Sequence, residues 1–135
     1  MAKGKDKSRG RLSVFKGREA RLNKAIFHIL ALREPLAIYD VHKEVKVQRG
    51  FRYTCYASVN KRVRLLEESG YIREAGFRKT KAASKAIVYT LTERAYLAIL
   101  FDSINLEVLL ARIEDHMASS ILAEILDAIS PTDAL

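Results

Sequence analysis

Residues 54–70 read TCYASVNKRVRLLEESG, and a helical wheel divides them into two faces. With Val59 at zero and about 100° per residue, Cys55, Val63 and Leu66 fall within about 40° of it, the spacing of a buried stripe. Thr54, Ala57, Lys61, Arg64 and Glu68 fall on the opposite side, with Ser58 and Asn60 on its flanks. The stretch therefore predicts an amphipathic helix from about Thr54 to Ser69. Gly70 supplies the left-handed residue that commonly closes a helix. On this wheel Cys55 is a packed core thiol.

Upstream, Leu22, Ala25, Ile26, Ile29, Leu30 and Leu32 recur at three- and four-residue steps, which predicts a helix from about Arg18 that stops ahead of Pro35. Pro35 and Leu36 read as a short extended link. Ile38, Val41 and Val45 then predict a second, shorter helix, with Gly50 at its exit. Downstream of Gly70, Tyr71 to Glu74 and Ala86 to Leu91 favour strands and predict a hairpin. Its tip, Arg78 to Lys85, holds Arg78, Lys79, Lys81 and Lys85 and no acidic residue. Thr92 can cap a fourth helix through Leu97 to Phe101. Beyond Asn105 two apolar stripes follow, Leu106, Leu110, Ile113, Met117 and Ile121, then Ala118, Leu122, Ile125 and Ile129. Their phase slips near Ser119 and Ser120, which a bend, a break or a helix apolar over a wide arc would each explain. Pro131 ends the segment.

The formal charge of +8 over 135 residues is unevenly spread. Residues 1–24 carry nine Lys or Arg against two Asp or Glu, residues 25–92 thirteen against six, and residues 93–135 two against eight. A polyanion would meet the first two parts, while the last must serve another purpose. The opening MAKGKDKSRGRLSVFK reads as a flexible basic arm. No run of about 18 apolar residues is present to span a bilayer, and no apolar signal core follows the basic start, so the cytoplasm is the expected location. One cysteine excludes an intrachain disulfide or a multi-thiolate zinc site, and His28, His42 and His116 have no paired metal-ligand spacing. No local motif proposes a nucleophile beside a histidine and a carboxylate, so neither an enzyme, a metal nor a cofactor is expected.

The order helix, helix, helix, hairpin, helix from about Arg18 to Phe101 resembles the winged helix-turn-helix transcriptional regulators, PadR-type and MarR-type above all. The resemblance rests on RLLEESGYI, residues 64–72, followed by the basic hairpin and by YTLTERAYLAIL, residues 89–100, and covers roughly two thirds of the chain. Ala95 stands where many relatives have glycine, and Lys46 to Tyr53 is longer than their usual turn. The resemblance implies a mainly α fold with a small β-hairpin wing and a C-terminal helical dimerisation extension. Its parts are an arm at 1–17, a winged helix DNA-binding domain at 18–102, a helical dimerisation segment at 103–130 and a tail at 131–135.

In such a fold the third helix is a recognition helix for the major groove of double-stranded DNA. Its exposed face would be Ala57, Ser58, Asn60, Lys61 and Arg64: Lys and Arg donate to guanine, Asn pairs with adenine, and Ala meets a thymine methyl group. Arg52, Tyr53 and Thr54, just ahead of the helix, would hold a phosphate. Arg78, Lys79, Lys81 and Lys85 on the wing would hold further phosphates or enter a minor groove. Leu106, Leu110, Ile113, Met117, Ile121, Leu122 and Ile125 would pair two copies of the chain, or else pack back on the first helix. The implied function is a homodimeric DNA-binding transcriptional regulator. The alternative is a winged-helix RNA-binding or protein-interaction subunit of a transcription, replication or ribosomal assembly.

Overall fold

The computed structural model of the chain describes residues 12–129. Most of the expected basic arm, the expected tail and the stop at Pro131 lie outside the described residues. The last part of the expected arm does not behave as one: Ser13–Phe15 form a 3-10 turn in which Val14 and Phe15 are buried. Phe15 sets its ring edge-on to Phe27 at 5.3 Å, and the Asn23 side-chain amide donates to the Val14 carbonyl at 2.9 Å. An aromatic burying its ring against another is a stronger tether than the surrounding basic composition suggests.

Helix α1 spans Ala20–Arg33 and stops because Pro35 drives Glu34 into extended backbone. Its buried residues are Leu22, Asn23, Ala25, Ile26, Phe27, Ile29 and Leu30. Leu32, expected in the stripe, is 82% exposed, since Phe15 and Tyr71 on either side of Phe27 rotate the buried arc away from it. The link after Pro35 is a strand, β1 (Leu36–Ala37), which leads into helix α2 (Ile38–Lys46) with Ile38, Val41 and Val45 buried. Gly50 adopts φ +90° at the turn beyond it.

Helix α3 spans Tyr56–Glu68 and buries Val59, Val63 and Leu66. Cys55 is its cap residue, in extended backbone and exposed, so the wheel does not extend to it and the expected packed thiol is a surface group. Ser58 hydrogen-bonds the sulfur at 3.3 Å and holds the thiol below its ordinary value. At the other end the Gly70 N–H donates to the Glu67 carbonyl and the Tyr71 N–H to the Leu66 carbonyl, the double closure that requires a left-handed residue. Gly70 takes that conformation at φ +86°. Gly70→Ala should therefore cost roughly 1–2 kcal/mol of stability, and a urea midpoint equal to that of the unaltered chain would refute the requirement.

Strands β2 (Ile72–Lys79) and β3 (Lys85–Leu91) form an antiparallel hairpin, and β1 pairs with the outer side of β3, giving the order β1-β3-β2. The base of the hairpin joins the core through Ile72 of β2 and Val88, Tyr89 and Leu91 of β3, while the rest of β2 and the Lys85 end of β3 stand out as a wing. The register shifts between Glu74 and Phe77, where Gly76 takes φ +113°; this bulge bends the wing and re-aims its far half. Helix α4 (Glu93–Ser103) starts at Thr92, whose hydroxyl accepts from the Ala95 N–H and donates to the Gly70 carbonyl. One side chain thus ties the start of α4 to the end of α3. Three helices backed by a small three-stranded sheet, with a projecting hairpin and a returning helix, are the winged helix arrangement.

The contacts divide the chain into two compact units between Ser103 and Ile104. The second unit holds α5 (Leu106–Arg112) and α6 (Asp115–Ile129). Asn105 caps α5 by accepting from the Glu107 and Val108 N–H groups. The break falls at Ile113, which is extended, and not near Ser119 and Ser120, which continue within α6. The apparent phase slip there belongs to one helix apolar over a wide arc. No residue of α5 or α6 is buried.

Candidate nucleic-acid interface

The face of α3 opposite Val59 and Val63 carries Ala57, Ser58, Lys61 and Arg64, all exposed, while Asn60 is half-buried on its flank. These side chains project because the core stripe fixes the helix rotation, leaving the other side of each turn free. Ahead of the helix, Arg52 and Tyr53 are exposed, Tyr53 at 88%, with the guanidinium 5.5 Å from the Tyr53 ring centre. Thr54 is half-buried, and its carbonyl lies 2.9 Å from His42 Nε2 of α2. The His42 ring also meets the edge of Tyr56 at 5.7 Å, so α2 positions the entry to α3.

On the wing, Arg78, Lys79, Lys81 and Lys85 are all exposed. Lys79 and Lys85 stand directly opposite each other across the strands. Two like charges in such a pair repel, and nothing in the hairpin neutralises them both. Lys85 lies 4.3 Å from the Phe77 ring centre, a cation–π contact that holds its stem along the strand. Arg78 differs from its neighbours: its guanidinium pairs with the Asp40 carboxylate of α2. That ion pair fastens the wing to the body, and it also occupies a cation that the charge count alone treats as free.

Between the start of α2, helix α3 and the wing runs a groove of about 260 Å³, which brings Arg64 and Lys85 together with Tyr39 and Tyr56. Of the expected contact residues, Arg64 and Lys85 line it; the others lie on α3, ahead of it or farther along the wing. Tyr39 and Tyr56 belong to this surface and escape a reading by charge. Tyr56 is legible as the residue after the cap of a basic helix, and Lys43, 5.5 Å from the Tyr39 ring centre, as a cation on the exposed side of α2.

Among the described residues no helix is long and apolar enough to cross a membrane, and no group of three or more His, Cys, Asp or Glu could hold a metal ion. No protein-family model matches the chain, and no curated protein matches it. Solved structures do. A PadR-like transcriptional regulator from Bacillus cereus is 13% identical, with 82% of this chain and 97% of that one covered and a TM-score of 0.49. A putative transcriptional regulator from Thermoplasma acidophilum is 16% identical, with 82% and 97% covered and a TM-score of 0.48. A zinc-responsive MarR family member from Lactococcus lactis is 18% identical, with 79% and 71% covered and a TM-score of 0.42. The chain is similar in structure to these transcriptional regulators, a PadR-like one and a MarR family member among them.

Proposed function

We propose that this chain is a DNA-binding regulator of transcription that acts in the cytoplasm by occupying a promoter site. Helix α3 enters the major groove, with Ala57, Ser58, Asn60, Lys61 and Arg64 facing base edges. Arg52, Tyr53 and Thr54 hold phosphates at its start. Lys79, Lys81 and Lys85 hold phosphates or enter the adjacent minor groove, with Arg78 beside them. The observation that carries this reading is the convergence of Arg64 from α3 and Lys85 from the wing on one groove, with Lys79 and Lys85 opposed and unneutralised. Two elements far apart in sequence present cation to one surface, and a polyanion relieves the repulsion.

Two copies of the chain pair through Leu106, Leu110, Ile113, Met117, Ile121, Leu122 and Ile125. Six of the seven are at least 43% exposed on α5 and α6, Ile121 at that value being the least exposed of the six, and the seventh, Ile113, is half-buried between the two helices. So much apolar helix surface is costly in water. Pairing covers it, and the acidic charge of this segment keeps it off the DNA. A dimer also matches a reader of two half-sites.

Selecting bound sequences from a random duplex pool tests this reading. A palindromic motif is expected. Tighter binding to structured RNA than to any duplex at matched salt would overturn it. The affinity for duplex should fall steeply with salt, by about 0.9 in log–log slope per neutralised phosphate. Asp40→Asn, which frees Arg78, should add about 0.9 to that slope and tighten binding several-fold. Fluorescence anisotropy at several salt concentrations checks this; an unchanged slope would mean that Arg78 does not reach a phosphate.

A further inference from the structure

Three aromatic rings stand at the groove between α2, α3 and the wing. Tyr39 and Tyr56 line it. Phe77 stands directly opposite Ile87 on the hairpin and so shares the face of Ile87 and Lys85, which line the groove as well. Tyr39, Tyr56 and Phe77 are 60%, 44% and 58% exposed. Large apolar rings left in water are costly, and three of them beside cationic charge suit a ligand that is flat and apolar in one part and anionic in the next. The charge is close at hand: Lys43 Nζ lies 5.5 Å from the Tyr39 ring centre, Lys85 Nζ 4.3 Å from that of Phe77, and Arg64 lines the same groove. A duplex offers these rings little, because its bases are stacked on one another and show only their edges in the grooves. An unpaired strand offers both parts, a free π face on every base and a phosphate at every link.

We propose that this surface has a second ligand, single-stranded DNA, whose unpaired bases stack on Tyr39, Tyr56 and Phe77 while Lys43, Arg64 and Lys85 hold the adjoining phosphates. Stacking on a ring is tolerant of sequence, so this mode has little base preference, unlike the reading of a duplex by α3. The two modes share Arg64 and Lys85 and exclude each other on one molecule. The choice of DNA over RNA rests on the reading of the chain as a DNA-binding regulator; the stacking itself does not.

The test uses the full chain and fluorescence anisotropy at matched salt with an oligothymidylate of about 15 nucleotides, the same strand with its bases replaced by abasic sites, an oligouridylate of equal length and a duplex. The oligothymidylate should bind at least about ten-fold more tightly than the abasic strand, which carries the same charge and no ring. Equal binding of those two would overturn the proposal, and this comparison needs no variant. Tyr39→Ala and Phe77→Ala should each weaken binding of the oligothymidylate by about 5–100-fold and leave the abasic strand where it was. Tyr39→Phe should bind as the unaltered chain does, since stacking uses the ring and not the hydroxyl. Alanine variants that bind the oligothymidylate undiminished would refute the stacking, and so would a Tyr39→Phe loss as large as that of Tyr39→Ala, which would make the residue a phosphate contact. Tighter binding of the oligouridylate would overturn the assignment to DNA. A chain that binds duplex but does not tell the oligothymidylate from the abasic strand sinks this inference and leaves the promoter reading; one that binds the oligothymidylate and no duplex of any sequence does the reverse.

Discussion

Replacing Lys79, Lys81 and Lys85 together by glutamine should weaken binding to every duplex alike, by on the order of 10²–10³-fold at 0.1 M salt. Three phosphate contacts at about 0.9 each lower the log–log salt slope by about 2.7, which is the source of that figure. The effect should not depend on sequence, because backbone phosphates carry none of the code. Stability should hold or rise slightly: all three side chains are exposed, and Lys79 and Lys85 repel each other across the hairpin in the free protein. Anisotropy titrations on two unrelated duplexes across a salt series, with a thermal melt alongside, check each part. A loss confined to one duplex would move the lysines from phosphate to base contact. An unchanged slope would remove the wing from the interface altogether. Substitution of Lys61 or Arg64 on α3 should behave differently, costing roughly 1–3 kcal/mol on the preferred sequence and much less on others.

The contrast between wing and helix also explains which features could be read from sequence. The rotation of α3 follows from Val59, Val63 and Leu66, since three apolar residues at helical spacing have one common face and must bury it. The same periodicity misleads at the helix end, where Cys55 sits at the right angle on the wheel but in extended backbone, and so never joins the face. Leu32 is misplaced for a different reason: long-range partners chose the buried arc of α1, and Phe15 and Tyr71 lie far from Phe27 in the chain. Strand β1 has two residues and no periodicity of its own; only its pairing with Tyr89 and Val88 makes it a strand. The ion pair of Arg78 with Asp40 spans 38 positions and is invisible to any local count of charge. The exposure of Lys61, Lys79, Lys81 and Lys85 was legible from composition, because exposure is the default state of lysine. Composition could not say which cation was already engaged.

The other large effect is expected in the second unit. Ile121→Glu combined with Ile125→Glu should convert a dimer to a monomer, with self-association weakened by at least about 10²–10³-fold if these two side chains are central anchors, each worth about 2 kcal/mol or more. Both are exposed, Ile121 at 43% and Ile125 at 51%, and both belong to the second unit. The thermal midpoint of the winged helix core should therefore be unchanged at dilution where both forms are monomeric, which separates a lost interface from a damaged fold. Glutamate is the informative replacement because a charge at the centre of an apolar contact is left unpaired, whereas alanine would only trim it. Mass measured by light scattering over a range of concentrations reads the association directly. A palindromic duplex adds a second readout, since two linked half-site contacts become two independent ones and affinity falls toward that of a single half-site. A variant that remains dimeric would place the contact elsewhere, with the exposed Leu97, Leu100 and Phe101 of α4 the next face to alter. An unaltered chain already monomeric at cellular concentration would refute the pairing, and the apolar arc of α6 would then have to meet a different protein.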